Sequence, residues 1–288
     1  MNYIINDWFT EYSDGWAGQA MSLKVKEIIE SKTTKFQDLL IFESTNHGKV
    51  LVLDGIIQLT EKDEFLYQEM ISMLPLNSHP NPQNVLIIGG GDGGVMRDVA
   101  KHHKVKKIVQ CEIDEEVVNL SKKHLSFMAV GYDSDKAILT ISDGFEFLKQ
   151  HKNEFDVIIT DSTDPQGPGE VLFQSNYFQL IFESLKSDGI MCSQGQNIWL
   201  ELDIIKNLLK TCKSIFPVVQ YANGSVPTYT NGQIGYVLCS KNRNTNFKEP
   251  IETNLPFQDK LRHYTPEVHR ASFALPYCIK KELELIIE

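Results

Sequence analysis

The chain has 288 residues, 42% of them hydrophobic, enough for one large domain or two smaller ones with ordinary cores. Its 28 Lys and Arg against 38 Asp and Glu leave a net charge of -10, which argues against a nucleic-acid surface and suits cationic ligands. Five scattered cysteines without a CxxC suggest neither a disulfide framework nor a zinc site, no apolar run approaches the ~20 residues of a membrane span, and no signal-peptide pattern opens the chain, so a cytoplasmic protein is expected.

From Leu23 to about Thr60 the pattern favours strands, with apolar runs at 39–42, 50–53 and 56–59. Asn46-His47-Gly48 and Asp54-Gly55 separate these runs as hairpin loops, giving a small antiparallel β unit. Asp63 is placed to cap a helix running to Leu74, with Phe65, Leu66, Met70, Met73 and Leu74 on its apolar stripe and a stop before Pro75. The polar segment 77–83, with Pro80 and Pro82, marks the domain boundary, so residues 1–76 form an N-terminal β domain and 77–288 a second domain. Beyond it, strands at 85–88, 107–111, 138–142, 155–160 and 189–193 alternate with helices, the signature of an α/β, doubly wound, mainly parallel sheet. Two closing strands at 218–221 and 233–240 and a helical tail from Pro276 complete the chain.

The segment NVLIIGGGDGG from Asn84 carries the strongest local signal. Val85, Leu86, Ile87 and Ile88 read as a buried parallel strand, and Gly89, Gly91 and Gly94 fit G-x-G-x-x-G. Asp92 within that loop would repel a pyrophosphate, so a dinucleotide is not the expected ligand. In open α/β sheets ligands bind beyond the carboxyl ends of the strands, and here those ends are acidic: Asp92, then Glu112, Asp143, and Asp161 with Asp164. Glu112 lies 18 residues past Gly94, near the ~20-residue offset at which a carboxylate meets a ribose diol, which implies a nucleoside. Helix capping by Glu112 or Asp114, and a plain turn at Asp143-Gly144, would account for the same residues without a ligand. Asp161 and Asp164, three apart on a loop with Pro165, Gly167, Pro168 and Gly169, suit an amine that one carboxylate holds and the other deprotonates. No HExxH, G-x-S-x-G or Walker lysine is present, so no metal is expected and the nucleophile must come from a substrate.

The segments WAGQAMSLKV from Trp16, KFQDLLIFES from Lys35, GKVLVLDGIIQLTEKDEFLYQEM from Gly48, VLIIGGGDGG, VQCEID, DGFEFL, FDVIITDSTDPQGP, SQGQ and VPTYTNGQIGY resemble the spermidine synthases, aminopropyltransferases of the eukaryotic type, over nearly the whole chain. The resemblance implies a methyltransferase-like Rossmann domain behind a small N-terminal antiparallel β domain, a homodimer, and aminopropyl transfer from decarboxylated S-adenosylmethionine to putrescine without a cofactor, membrane or nucleic acid. It further implies Asp161 as the base, and Asp92, Glu112, Asp143, Gly144, Gln37, Gln68 and Pro168 on the donor side. Tyr67, Asp164, Gln194 and Tyr229 would line the acceptor channel with Asp161, closed by Trp16. Thr163, Gly169 and Thr230 depart from the usual pattern, Ala17 replaces a proline, and Gln196 replaces a glutamate, removing a charge where acceptor choice is made. Spermine or thermospermine synthases, putrescine N-methyltransferases and a non-catalytic nucleoside or polyamine binder are the alternatives.

Overall fold

The computed structural model describes residues 3–162 and 174–287. Its N-terminal part is a six-stranded antiparallel meander in chain order: β1 (Ile4–Ile5), β2 (Trp8–Glu11), β3 (Met21–Thr33), β4 (Asp38–Ser44), β5 (Lys49–Leu53) and β6 (Ile56–Thr60). The two-residue period sorts its apolar side chains. Leu39, Ile41, Leu51, Leu53 and Leu59 meet Val117, Leu120 and Met128 of the second part, while Leu40, Phe42, Val50, Val52 and Ile57 pack with Phe9 and Leu23. Both faces are covered, which is why these strands read as unbroken apolar runs. Asp54 and Gly55, at φ 48° and 82°, supply the left-handed pair that a tight hairpin needs. The short β1 and β2, absent from the sequence reading, meet at Asn6 and Asp7, two further positive-φ residues.

The second sheet contains β7 (Asn84–Gly89), β8 (Lys107–Glu112), β9 (Ala137–Ile141), β10 (Phe155–Asp161), β11 (Leu185–Gln194), β12 (Val218–Ser225) and β13 (Gln233–Ser240), in the order β9-β8-β7-β10-β11-β13-β12. The first five are parallel and the last two close the sheet antiparallel, as expected of a methyltransferase-like doubly wound fold. Val85 and Ile87 face a core shared with α1 (Glu64–Leu76) and α2 (Gly94–Lys101). Leu86 and Ile88 face the opposite core, against α6 (Ser175–Ser184), α7 (Leu202–Lys213) and α9 (Tyr277–Ile287). Further helices are α3 (Glu115–His124), α4 (Ser126–Ala129), α5 (Gly144–Gln150) and α8 (Pro266–Ala271). Strand order reverses between β7 and β10, the place where an open α/β sheet leaves a crevice for ligand.

α1 departs from its sequence reading in two ways. It runs through Pro75 to Leu76, because Asn77 N donates to Met73 O at 2.9 Å and Ser78 Oγ to Leu74 O at 2.7 Å, continuing the bonding past the proline. Asp63 occupies the cap position but makes no capping bond; its carboxylate instead accepts from Thr60 Oγ1, Thr228 N and Thr228 Oγ1. The buried side chains of α1, including Tyr67, Met70 and Leu74, lie in the core of the seven-stranded sheet.

α1 also anchors the C-terminal segment through Glu69, which is fully buried and accepts from the backbone N–H groups of Arg262, His263 and Tyr264 at 2.8, 2.8 and 2.9 Å. Glu69→Ala leaves three backbone donors, that of Tyr264 buried, without their acceptor and is expected to cost ~2 kcal/mol or more, read as a lower urea midpoint, with Glu69→Gln losing less. An unchanged midpoint for Glu69→Ala would show that this clip carries no stability.

Candidate active site

The glycine loop is shaped by a close backbone approach. Gly89 pairs with Asp161 in the parallel register of β7 and β10, and a Cβ at Gly89 would lie 2.1 Å from the Asp161 carbonyl oxygen. Gly89 and Gly90 hold φ of 82° and 68°, and Gly90 N donates to that same carbonyl at 2.8 Å. The two neighbouring strand ends therefore deliver Asp92 and Asp161 to one place. Asp92 accepts from Gly94 N at 2.7 Å, at the start of α2, and from Gln68 Nε2 at 3.2 Å. Asp161 accepts from the Tyr67 hydroxyl at 2.7 Å.

Two cavities meet there, sharing Asp92, Asp161, Gln58 and Ser162 in their walls. The first has about 890 Å³ of open space, mouth included, and is walled by the glycine loop, Gln37, Cys111, Glu112, Asp143 and Gly144. Glu112 is buried; its Oε1 accepts from Asp114 N at 2.8 Å. Capping of α3 falls to Asp114, which accepts from Glu116 N, and the Gln37 amide and Thr34 hydroxyl donate to its other oxygen. Asp143 does both jobs considered for it, capping α5 through Phe145 N at 2.7 Å and Glu146 N at 3.2 Å while lining the cavity. Gly144 is required by a close approach, since a Cβ there would fall 2.5 Å from Ile88 Cγ2. The Cys111 thiol is pushed up to about 12 by burial, so it is no nucleophile at neutral pH.

The second cavity, about 770 Å³ with its mouth, is lined by Trp16, Tyr67, Gln68, Gln194 and Tyr229. Gln68, expected on the donor side, thus borders this cavity and reaches the first through Asp92. Tyr67 stacks on Tyr236 with centroids 5.9 Å apart and touches Tyr229, whose hydroxyl donates to Gln58 O at 2.8 Å. Trp16 is buried, and its indole N–H has no partner among the described residues. Asp164 and Pro168, and the substituted Thr163 and Gly169, lie outside the described residues.

The sequence reading missed Glu11 and Glu201, both in the wall of the second cavity. Glu11 accepts from Ile57 N and from Thr230 Oγ1, each at 2.6 Å. Glu201 accepts from Asn197 N at 3.1 Å, and the Gln196 amide, with its nitrogen toward Glu201, reaches both carboxylate oxygens at 2.9 and 2.8 Å. Gln196 sits in the left-handed region at φ 62°, a conformation held by its surroundings. A carboxylate thus stands directly beside the amide at position 196. No spacing rule marks Glu201, and Glu11 falls in a strand too short to show a period.

The acidic groups are held in tension with their setting. Burial pushes Glu112 up to about 7, and burial likewise raises Asp92 and Asp161, with the Asp161 charge acting further on Asp92. An arrangement of this kind is completed by cations, which restore the charged forms and offset their desolvation.

Comparison with known proteins places the chain beside one family. The model for the spermine/spermidine synthase domain matches residues 64–249, and the model for the spermidine synthase tetramerisation domain matches residues 7–61. Spermidine synthase of Dictyostelium discoideum is 49% identical over 99% of this chain and 100% of its own length, and that of Schizosaccharomyces pombe 48% identical over 95% and 92%. Among solved structures, a spermidine synthase in complex with the transition-state analogue AdoDATO superposes with a TM-score of 0.91 at 38% identity, covering 96% of this chain and 95% of that one. The spermidine synthase of Thermotoga maritima gives 0.89 at 37% identity, over 96% and 94%.

Glu112 provides a test of the electrostatics. Because its folded value lies above the ordinary carboxylate value, the folded chain binds that proton more tightly than the unfolded chain does. The stability so gained is full at low pH and is lost as pH rises through about 7. The Tm of Glu112→Gln minus that of wild type should therefore climb between about pH 5 and pH 8, a difference in which the buried histidines cancel. A difference constant with pH would contradict a raised Glu112.

Proposed function

The chain belongs to the spermidine synthase family, and from that membership and the paired cavities we propose the course of its aminopropyl transfer from decarboxylated S-adenosylmethionine to putrescine, which yields spermidine and 5'-methylthioadenosine. The observation that carries the reading is that the two cavities join at Asp92 and Asp161, a carboxylate for each of two cations.

In this reading the first cavity takes the donor. Glu112 accepts from its ribose hydroxyls, Asp143 and Gly144 border its adenine, Gln37 and Gln68 add polar contacts, and Asp92 pairs with its aminopropyl ammonium. Pro168 is proposed on the adenine side by family analogy alone. The second cavity takes the diamine, with Tyr67, Tyr229 and Trp16 offering aromatic faces that favour cations. Gln194 lies along its wall, and Asp164 is placed there by the same analogy. Glu11 and Glu201 supply negative charge to this cavity.

The chemistry follows from the charges. An alkylammonium has a reference pKa near ~10.4 and cannot attack while protonated. Asp161 takes one proton, and its raised affinity for protons makes it a better base than an exposed aspartate. The Tyr67 hydroxyl fixes one of its oxygens. The freed amine then bonds to the propyl carbon attached to sulfur while that carbon–sulfur bond breaks and its electron pair stays on sulfur, converting sulfonium to thioether. The leaving group arrives already activated, so the protein contributes alignment and charge. The reading calls for no metal or cofactor, since the donor is consumed as co-substrate.

We further infer a homodimer working in the cytoplasm. The tetramerisation-domain match over residues 7–61 supports assembly through the N-terminal sheet, where Ile5, Trp8 and Ile28 are exposed. The five cysteines are free thiols, in keeping with a reducing compartment, and among the described residues no helix is long and apolar enough to cross a membrane.

Incubation with decarboxylated S-adenosylmethionine and a panel of di- and triamines, with products identified by mass, tests the assignment and defines acceptor choice. Asp161→Asn keeps the shape and removes the base, so kcat should fall ~10²- to 10⁴-fold with donor affinity nearly unchanged. A variant with near wild-type turnover would remove Asp161 from the mechanism.

A further inference from the structure

Beneath the glycine loop lies a polar pair that the reaction as described does not use. Gln110, on β8, is fully buried, and its amide nitrogen donates to Gly89 O at 2.9 Å, Gly90 O at 2.6 Å and the Tyr132 hydroxyl at 3.2 Å. Tyr132, on a 3-10 turn at Val130–Asp133, donates in turn to Gly91 O at 3.0 Å. Three successive loop carbonyls are thus held by two side chains. The Tyr132 ring also abuts Gly93, where a Cβ would come within 2.8 Å of it, and Lys122 Nζ lies 4.7 Å from the ring centre. The next residue after the held carbonyls is Asp92.

We propose that Gln110 and Tyr132 are positioning residues for the transfer, fixing the peptide planes of Gly89, Gly90 and Gly91 so that the Asp92 carboxylate faces the donor's ammonium. Three adjoining glycines have little conformational preference of their own, and two of them stand at positive φ. Without bonds from below, the loop would sample many orientations and each binding event would have to select the right one. The strand pairing sets where Asp161 lies, whereas the brace sets where Asp92 points. Tyr132 touches the loop but is not in the wall of either cavity, so it acts through Asp92 and not on the substrate.

The inference rests on the functional reading above, and its test separates the two. Dissociation constants for decarboxylated S-adenosylmethionine and for S-adenosylmethionine are measured by calorimetry on wild type, Tyr132→Phe, Asp92→Asn and the double variant. Removing one hydroxyl hydrogen bond should weaken the decarboxylated donor about fivefold, with the KM for putrescine within twofold of wild type and the preference over S-adenosylmethionine narrowed by a similar factor. In the Asp92→Asn background Tyr132→Phe should add nothing, because the group it positions is gone. Additive losses in the double variant, or an equal weakening of both donors, would reduce the pair to a general structural role and overturn the proposal. Wild type that binds neither donor would overturn the functional reading, and this one with it. Gln110→Met, measured in the same way, is expected to exceed Tyr132→Phe because it releases two carbonyls; a smaller effect would overturn the assignment of Gln110.

Discussion

The contact on which the site depends is the one between the last residue of β7 and the last of β10. Gly89 and Asp161 are register partners, and the absence of a Cβ at Gly89 lets the two strand ends close until Gly90 N bonds the Asp161 carbonyl. Both strands are parallel and leave the sheet at the same edge, so one carries its carboxylate on the glycine loop and the other at its terminus. Because strand order reverses at that point, a crevice opens on either side of the pair. Gly144, pressed against Ile88, and a wall of Phe36, Gln37, β5 and β6 then shape the first cavity; α1 and the segment after β11 shape the second.

Electrostatics turns this geometry into chemistry. Water screens charges poorly in such a crevice, so each buried carboxylate is costly alone and strongly attractive to a cation. The raised proton affinities of Asp92, Asp161 and Glu112 express that cost. Two positively charged reactants resist being brought together, and under the proposed function the paired aspartates at the junction offset the repulsion where it is greatest. Cys111, the thiol among the described residues of the first cavity's wall, is held neutral, in keeping with the proposal that the incoming amine is the nucleophile.

Much of this was legible in the sequence because it depends on local rules. Continuous apolar runs marked strands buried on both faces, and the acidic residues at four strand ends marked the crevice edge before any fold was known. Where a second role was possible, the structure distributes the roles: Asp114 caps α3 and leaves Glu112 to the cavity, whereas Asp143 caps and lines at once. What was not legible depends on tertiary pairing. Asp63 forgoes its cap bond for Thr228, 165 residues away, and Glu11 meets Thr230, 219 residues away. Glu201 stands in the wall beside Gln196, a residue at positive φ, a juxtaposition that no periodicity announces. Pro75 continues a helix because the bonds around it come from residues beyond the expected stop.

The central claim is that both substrates occupy the joined cavities together and that the amine displaces the sulfur directly at the aspartate pair. Initial rates measured while both substrates are varied test it most directly. Direct displacement in a ternary complex predicts double-reciprocal lines that intersect; parallel lines, the mark of a covalent aminopropyl-enzyme formed before the amine binds, would contradict it.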